Sequence, residues 1–411
     1  MIYDSLYMDG KKKIEWAMNW MPVLDTIRKD FVSSKPFKGM NISMALHLEA
    51  KTAVLAYTMK QGGAKVSIAG CNPLSTDDEV AKSLKEDYGL NVYAKRGLTK
   101  EEYYESLSKT IDAEPDIIID DGGDLTALVH NDKRVYKNIK GGNEETTTGV
   151  VRLKNMEKAG ALKFPMFDVN DALMKHLFDN RYGTGQSTID GILTATNLVI
   201  AGKNVVVGGY GWCGRGIANK MRGLGANVTV TEIDPFKSIE AHMDGFIVKP
   251  MKEAIGDADF VITATGVKDI VTPELLRYAK DGIILANSGH FNNEVAVDDI
   301  EKVFGKGKEV RKNVTQFTVG KKKAYVLSDG RLVNLASGQG HPAEIMDLSF
   351  SIQALTARFI ADSPPKKPGV YPVPHEIDLK VANSYLQSYG IRIDKLTKEQ
   401  LRYINSWQEG T

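Results

Sequence analysis

Short apolar runs alternate with amphipathic stretches through the first half of the chain. KGMNISMALH ends in an apolar strand, EAKTAVLAYTMKQ carries apolar residues at helical spacing, and the order repeats through KVSIAG, DDEVAKSLKEDYG, NVYAKRG, KEEYYESLSKTI and DIIIDDGG. Such alternation predicts an α/β domain with a doubly wound, mostly parallel sheet. Ligands of these sheets collect beyond the carboxyl ends of strands, where His47 and Asp121 both stand beside turn residues, so the two are expected in one cleft. The rhythm returns later in the chain. FVITATG, GIILANSGHF and KAYVLSDGRLVNLAS read as strands and PELLRYAKD as a helix, so a second sheet extends to about residue 335. Ile345, Leu348, Ile352, Leu355 and Phe359 then fall at helical spacing and predict a helix returning to the first domain, after which SPPKKPGVYPVP breaks regular structure and links to a tail.

The second sheet opens with the most informative stretch, KNVVVGGYGWCGRGIANKMRGLGANVTVTE at residues 203–232. An apolar run leads to Gly209, Gly211 and Gly214 in GxGxxG spacing, then a helix, a second strand and Glu232. This order predicts a dinucleotide-binding βαβ unit. Gly209 permits the tight turn, Gly211 lets a pyrophosphate approach the backbone, Gly214 allows close helix packing, and the helix start offers free N–H groups to phosphate. A carboxylate at Glu232 accepts hydrogen bonds from ribose hydroxyls and repels a 2'-phosphate, favouring NAD over NADP, with Lys237 slightly weakening the preference. About two hundred residues precede this unit, and substrate chemistry is to be sought among them.

Composition narrows the classes. Lys and Arg total 53 against 52 Asp and Glu, a formal charge of +1, and no block of like charge marks a nucleic-acid groove or a polybasic membrane anchor. The N-terminal MIYDSLYMDGKKKIEW lacks the order of a signal peptide, so a cytoplasmic location is expected. Cys71 and Cys213, the two cysteines, read as reduced thiols; they show no metal-ligand spacing, and no metal is expected.

Several segments converge on a family. GGNEETTTG at 141–149, KHLFDNRYGTGQS at 175–187, GYGWCGRG at 209–216, NSGHF at 287–291 and GRLVNLASGQGHP at 330–342 occur together and in order, and the set resembles the S-adenosylhomocysteine hydrolases from LHLEAKTAVL near residue 46 to LTKEQLRYINSW near the end. The resemblance implies a tightly held NAD that is used and regenerated within one turnover. Oxidising the ribose 3'-hydroxyl makes the C4' proton acidic, homocysteine thiolate leaves C5', water adds, and the ketone is reduced again.

The roles implied by the resemblance fall on named residues. Lys175 would take the 3'-hydroxyl proton beside Asp179, and their i, i+4 spacing puts both on one helix face. Glu145 matches a substrate-site carboxylate, and Thr146, Thr147 and Thr148 match the hydroxyl run at the nicotinamide end of NAD. Asn180 and Asn334 match cofactor-contacting amides. Asp121 would exchange protons at C4' and C5', with the imidazoles of His47 and His290 near C5' and the departing sulfur. Thr52, His341 and Met346 match residues beside the substrate.

The chain departs from the family pattern at Thr184, in its tail, and at Lys51 and Gln339. Thr184 stands where a cysteine is usual, which removes a thiol from that turn. The chain stops at SWQEGT, without the longer tail whose Lys and Tyr reach a neighbouring subunit's cofactor, so sealing of NAD is expected to differ. In LHLEAKTAVL, Lys51 replaces a glutamate that accepts from the adenine 6-amino group. A donor-only lysine suits the 6-carbonyl of hypoxanthine instead, Gln339 adds an amide able to meet either edge, and together they make S-inosylhomocysteine a credible preferred substrate. The i, i+4 relation sets Lys51 on the face of His47.

The expected organisation is a catalytic domain split around an inserted Rossmann domain. Residues 1–186 form its first part, 187–336 the NAD-binding domain, 337–370 the return segment and 371–411 a tail. Hinge crossings are expected at Gln186–Asp190 and Leu335–Gly338, and the family's homotetramer is expected here. Two other classes share the cofactor fingerprint: an NAD-dependent 2-hydroxyacid dehydrogenase, and a catalytically silent NAD-sensing module. Neither accounts for EETTTG and KHLFDNRYGTGQS together.

Overall fold

Apolar runs become strands in two separate sheets in the computed structural model, which describes residues 2–408. The first sheet holds β1 (Asn41–Leu46), β2 (Lys65–Gly70), β3 (Asn91–Val92), β4 (Ile117–Asp120), β5 (Gly141–Glu144) and β6 (Pro165–Asp168). The second holds β7 (Asn204–Gly208), β8 (Asn227–Thr231), β9 (Ile247–Val248), β10 (Phe260–Thr263), β11 (Ile283–Asn287), β12 (Lys308–Arg311), β13 (Val314–Val319) and β14 (Lys322–Leu327), and β15 (Gly369–Pro372) returns to the first. Strand order is β15-β6-β5-β4-β1-β2-β3 in one sheet and β12-β13-β14-β11-β10-β7-β8-β9 in the other. The first sheet is parallel throughout, and in the second β13 alone runs against the other strands, pairing antiparallel with β12 and β14. The molecule is therefore α/β with two doubly wound sheets.

Each sheet reverses its winding once, and that is where ligands bind in such folds. In the first sheet the reversal lies between β1 and β4, where Ala45 pairs with Asp120; His47 and Asp121 follow those strands directly. In the second it lies between β7 and β10, where Gly208 pairs with Thr263. The central strands are buried on both faces, as the near-continuous apolar runs NISMAL, IIID and NVVVG require.

Several sequence expectations change in detail. NVYAKRG forms strand only at Asn91–Val92, and KAYVLSDGRLVNLAS leaves the sheet at Leu327, passing through a single turn at Ser328–Gly330 into a short helix, Val333–Ala336. The helix in PELLRYAKD is confined to Pro273–Leu276. The proline-rich link contains β15, which pairs in parallel with β6 and forms the edge of the first sheet, where proline is tolerated. Beyond it the helix His375–Ser388 is no loose tail: Val381 is fully buried, and the Asp378 carboxylate accepts from the Leu173 and Met174 N–H groups at 2.9 Å each.

The returning helix, Ala343–Asp362, crosses the middle of the first domain with Asp347, Ser349, Ser351, Gln353 and Thr356 fully buried among its apolar residues. Asp347 accepts from the N–H groups of Val23 and Leu24, at 2.9 and 2.7 Å, and so anchors the start of the helix Pro22–Ser34. Among the described residues no helix is long and apolar enough to cross a membrane.

Candidate active site

A cavity of about 1340 Å³ runs between the two sheets, from Leu46 and His47 at one end to Glu232, Asp234 and Lys237 at the other. The glycine turn after β7 forms part of its wall. Gly209 takes a φ of +94°, and a Cβ on Gly214 would lie 2.0 Å from the Gly209 carbonyl oxygen, so the helix Trp212–Gly223 packs directly on the turn. A Cβ on Gly211 would meet no protein atom within 4 Å; it would project into the cavity, where a pyrophosphate needs the room. Glu232 is fixed at the mouth: Oε2 accepts from the Tyr210 N–H at 2.7 Å, and Oε1 accepts from Ile233 and Asp234 at 2.8 and 3.1 Å. Thr148 Oγ1 and Asn334 Oδ1 are buried without a protein partner, and both residues line the cavity. These residues fit a dinucleotide with a diol ribose. Gly209, Gly211, Gly214 and Glu232 would hold its adenosine half, and Thr146, Thr147, Thr148, Asn180 and Asn334 its other end.

Lys175 lies where these parts meet. It precedes a π-helical stretch, His176–Gly183, whose wider turn aligns residues five apart, and its ammonium accordingly donates to Asn180 Oδ1 at 2.8 Å. Asp179 Oδ1 and Glu145 Oε1 stand 3.5 and 3.6 Å from the same nitrogen. Burial pushes the Lys175 pKa down, but Asp179 and Glu145 outweigh it and hold the ammonium protonated. Burial pushes Asp179 up, and Lys175 with His341 overcomes that, leaving its carboxyl well below the usual range. Glu145 goes the other way: burial raises it to about 8 against the pull of Lys175. The returning helix supports both acids, Ser349 Oγ donating to Asp179 at 2.7 Å and Gln353 Nε2 to Glu145 at 2.6 Å.

At the other side of the cavity Asp121 is flanked by two imidazoles. His47 Nε2 is 3.6 Å from its Oδ2, and His290 Nδ1 is 3.5 Å from its Oδ1. Ser75 Oγ donates to the Asn72 carbonyl at 3.1 Å and so receives the Nδ1 proton of His47 at 2.7 Å, which leaves the His47 lone pair on Nε2, facing Asp121. Burial lowers His47 from 6.5 to about 4, opposed by Asp121, and the ring is neutral at physiological pH. His290 comes from the second sheet and reaches Asp121 because Gly122 has no side chain: a Cβ there would lie 2.3 Å from His290 Nε2.

Thr52, His341 and Met346 line the cavity. His341 ties several elements together, with Nδ1 at 3.2 Å from Asp179 Oδ1 and Nε2 at 3.4 Å from Thr184 Oγ1 and 3.3 Å from Asn334 Nδ2. Lys51 and Gln339 stand differently from what their motifs suggest. The Lys51 ammonium is buried behind Glu49 and Thr52, paired with Glu49 Oε2 at 2.5 Å and donating to the Gln339 carbonyl at 2.7 Å. The Gln339 side chain is exposed and lies outside the cavity wall, so only its main chain takes part. Glu49, which the sequence reading passed over, both lines the cavity and caps the helix Ala50–Gln61.

Other participants were hidden in the sequence. Asn170, at the strand end after β6, accepts from Thr147 Oγ1, Lys175 Nζ and Asn180 Nδ2 at 3.2, 3.4 and 3.0 Å. Thr184 leaves its own turn without a thiol, but Cys213 Sγ, on the glycine-turn helix, lies 3.6 Å from Thr184 Oγ1 and lines the cavity.

Comparison with known proteins follows the two halves of this cavity. Residues 4–138 match the family model described as S-adenosyl-L-homocysteine hydrolase, and residues 180–340 match its NAD binding domain. An adenosylhomocysteinase of Thermoplasma volcanium is 60% identical over 405 residues, covering 98% of this chain and 99% of the relative. An S-inosyl-L-homocysteine hydrolase of Methanocaldococcus jannaschii is 56% identical over 409 residues, 99% of this chain and 98% of the relative. An adenosylhomocysteinase of Archaeoglobus fulgidus is 54% identical over 406 residues, 98% of this chain and 100% of the relative.

Proposed function

The chain belongs to the S-adenosyl-L-homocysteine hydrolase family, and we propose that it catalyses the reversible, NAD-dependent hydrolysis of S-adenosyl- or S-inosyl-L-homocysteine to nucleoside and L-homocysteine. One observation carries the reading. A single cavity gathers an ammonium between two carboxyl groups beside the Thr146–Thr148 turn, and a carboxylate between two imidazoles a ribose away.

When bound, NAD oxidises the ribose 3' carbon and returns the two electrons at the end of the same turnover. Lys175 would accept the 3'-hydroxyl proton after first giving up its own, a loss that Asp179 and Glu145 oppose by holding the ammonium protonated. Asp179 and Asn180 hold its nitrogen in place, and Glu145, raised by burial against the pull of Lys175, sets a second carboxyl group 3.6 Å from the same nitrogen. Asp121 withdraws the C4' proton made acidic by the neighbouring ketone. His47 and His290, 3.6 and 3.5 Å from Asp121, carry a proton to the departing sulfur and withdraw one from the water that replaces it. The walls supplied by both domains keep bulk water from the keto intermediate. We propose the split catalytic domain around an inserted NAD-binding domain, supported by the approach of the two expected crossings: a Cβ on Gly338 would lie 3.0 Å from Asp190 Oδ2.

Within this activity we propose a preference for the inosyl substrate. The substitution itself supports it: a lysine is donor-only, which suits the hypoxanthine 6-oxygen and not the adenine 6-amino group, and its ammonium, held by Glu49 and the Gln339 carbonyl behind the cavity wall, would have to turn from them to reach a base. Initial rates of synthesis from homocysteine plus inosine or adenosine test both levels. A kcat/KM at least tenfold higher with inosine, about 1.4 kcal/mol, supports the preference, and a higher value with adenosine refutes it. Net release of NADH without thioether formation would move the chain to the dehydrogenases, and bound NAD without turnover would make it a binding module.

A homotetramer and a cytoplasmic location complete the proposal. The exposed apolar side chains Ile233, Phe236 and Met243, 95, 81 and 80% accessible in the single chain, support self-association, which light scattering on the eluting protein measures.

A further inference from the structure

The chain contains two cysteines at unrelated positions, and one of them, Cys71, has no part in the chemistry above. It follows β2 and is buried beneath the floor of the cavity, with Sγ 3.7 Å from Asp121 Oδ2. His47 Nε2 approaches the same carboxylate oxygen to 3.6 Å, and the sulfur, nitrogen and oxygen atoms all lie within 4.8 Å of one another. A tetrahedral zinc ion with bonds of about 2.0–2.3 Å sets its ligand atoms roughly 3.3–3.8 Å apart, so small side-chain shifts bring this trio to a common centre. We propose that His47, Cys71 and Asp121 form a binding site for a thiophilic divalent cation, zinc above all, whose fourth position opens toward the cavity.

The surroundings prepare these groups as ligands. The Nδ1 proton of His47 is committed to Ser75 Oγ at 2.7 Å, and Ser75 in turn donates to the Asn72 carbonyl at 3.1 Å; the ring therefore offers Nε2 with its lone pair, oriented as metal-bound imidazoles are by their outer partner. Tyr103 donates to the Cys71 carbonyl at 3.1 Å and fixes the backbone that carries the thiol. A mixed sulfur, nitrogen and oxygen set at close quarters selects zinc or cobalt over magnesium or calcium, which take oxygen. Binding exchanges the Cys71 S–H bond for a sulfur–metal bond and releases the proton to solvent, with no change of oxidation state. The ion engages two groups the proposed reaction uses, so it excludes the 5' end of the nucleoside and inhibits. That consequence rests on the hydrolase reading; the binding does not.

Cobalt chloride titrated into the NAD-loaded protein, followed by absorption, reads the ligands directly. The expected result is a sulfur-to-cobalt charge-transfer band that saturates at one ion per chain, disappears on adding zinc, persists in C213S and is absent in C71S. In C213S Cys71 is the sole thiol, so that variant decides the matter even if C71S does not fold. A spectrum without the band, a band that survives C71S, or one lost in C213S overturns the site. None of these outcomes depends on turnover, so failure of the metal site and failure of the hydrolase assignment are told apart.

Discussion

Gly122 decides whether His290 can reach Asp121, and replacing it by alanine tests how much of the activity depends on that approach. The residue has a φ of +102°, so alanine pays a backbone cost of roughly 1–2 kcal/mol from its Cβ alone. The new methyl would also lie 2.3 Å from His290 Nε2, where ordinary contact begins near 3.4 Å. The ring must retreat by about 1 Å, and because His290 belongs to the second sheet and Gly122 to the first, the retreat opens the junction between domains. A misplacement of that size costs on the order of 100-fold in rate, about 2.7 kcal/mol of transition-state stabilisation. Gly123 provides the control. It has a φ of +78°, but a Cβ there meets nothing closer than Arg152 Cδ at 3.8 Å, so G123A carries backbone strain without the clash.

The expected result is a kcat/KM for synthesis about 100-fold lower in G122A than in G123A, with similar melting temperatures and the same bound NAD in both. In an H290A background the G122A change should add little, since the ring it displaces is gone. Equal losses in the two alanine variants, or full additivity of G122A with H290A, would refute the reasoning and assign the effect to loop strain.

Three more outcomes follow from the same geometry. Between pH 6.5 and 4 the unfolded chain protonates His47 while the folded chain does not, so the stability tied to this ring is complete above pH 6.5 and is lost as pH falls toward 4; H47N should flatten the fall in melting temperature across that window. Lys51→Met removes the donor-only ammonium and should lower kcat/KM with inosine by about tenfold to 100-fold more than with adenosine, and equal losses with both nucleosides would detach Lys51 from base choice. Glu232→Ala removes the carboxylate that bridges the Tyr210 and Asp234 N–H groups; NAD should bind about tenfold more weakly by equilibrium dialysis, and the NAD-to-NADP affinity ratio should fall.

What the sequence revealed and what it hid have a physical division. Buried parallel strands such as IIID and NVVVG announce themselves because both faces must be apolar, and the GxGxxG turn because three different steric demands fall on fixed positions. β5 did not, because its sequence is GGNE. A Cβ on Gly142 would meet Ile118 Cγ1 at 2.4 Å, Asn143 Nδ2 donates to the Gln353 carbonyl, and Glu144 accepts from the Gly122 N–H. These partners lie far away in sequence, so polar and small residues are at home in a central strand for reasons no local pattern carries. The π-helical turn escaped for a related reason. Lys175 and Asp179 fit an ordinary i, i+4 pair, and only the fold shows that Asn180, one residue further, is the nearer acceptor.

Cys213 shows why a position in a motif is an incomplete guide to a position in space. Read along the chain, threonine at 184 deprives the site of a thiol. Gly185 and Gly216 have no side chains to hold their helices apart: a Cβ on Gly185 would lie 2.8 Å from the Gly216 carbonyl, and one on Gly216 would lie 1.9 Å from the Arg181 carbonyl oxygen. Backbone therefore meets backbone, and residues 184 and 213 become neighbours although 29 positions separate them. A thiol can then reach the same region of the cavity from either helix, with a small polar hydroxyl filling the place it vacates. The constraint acts on the volume between Asp179, His341 and the glycine turn, and the chain is free to satisfy it from whichever element the packing brings there.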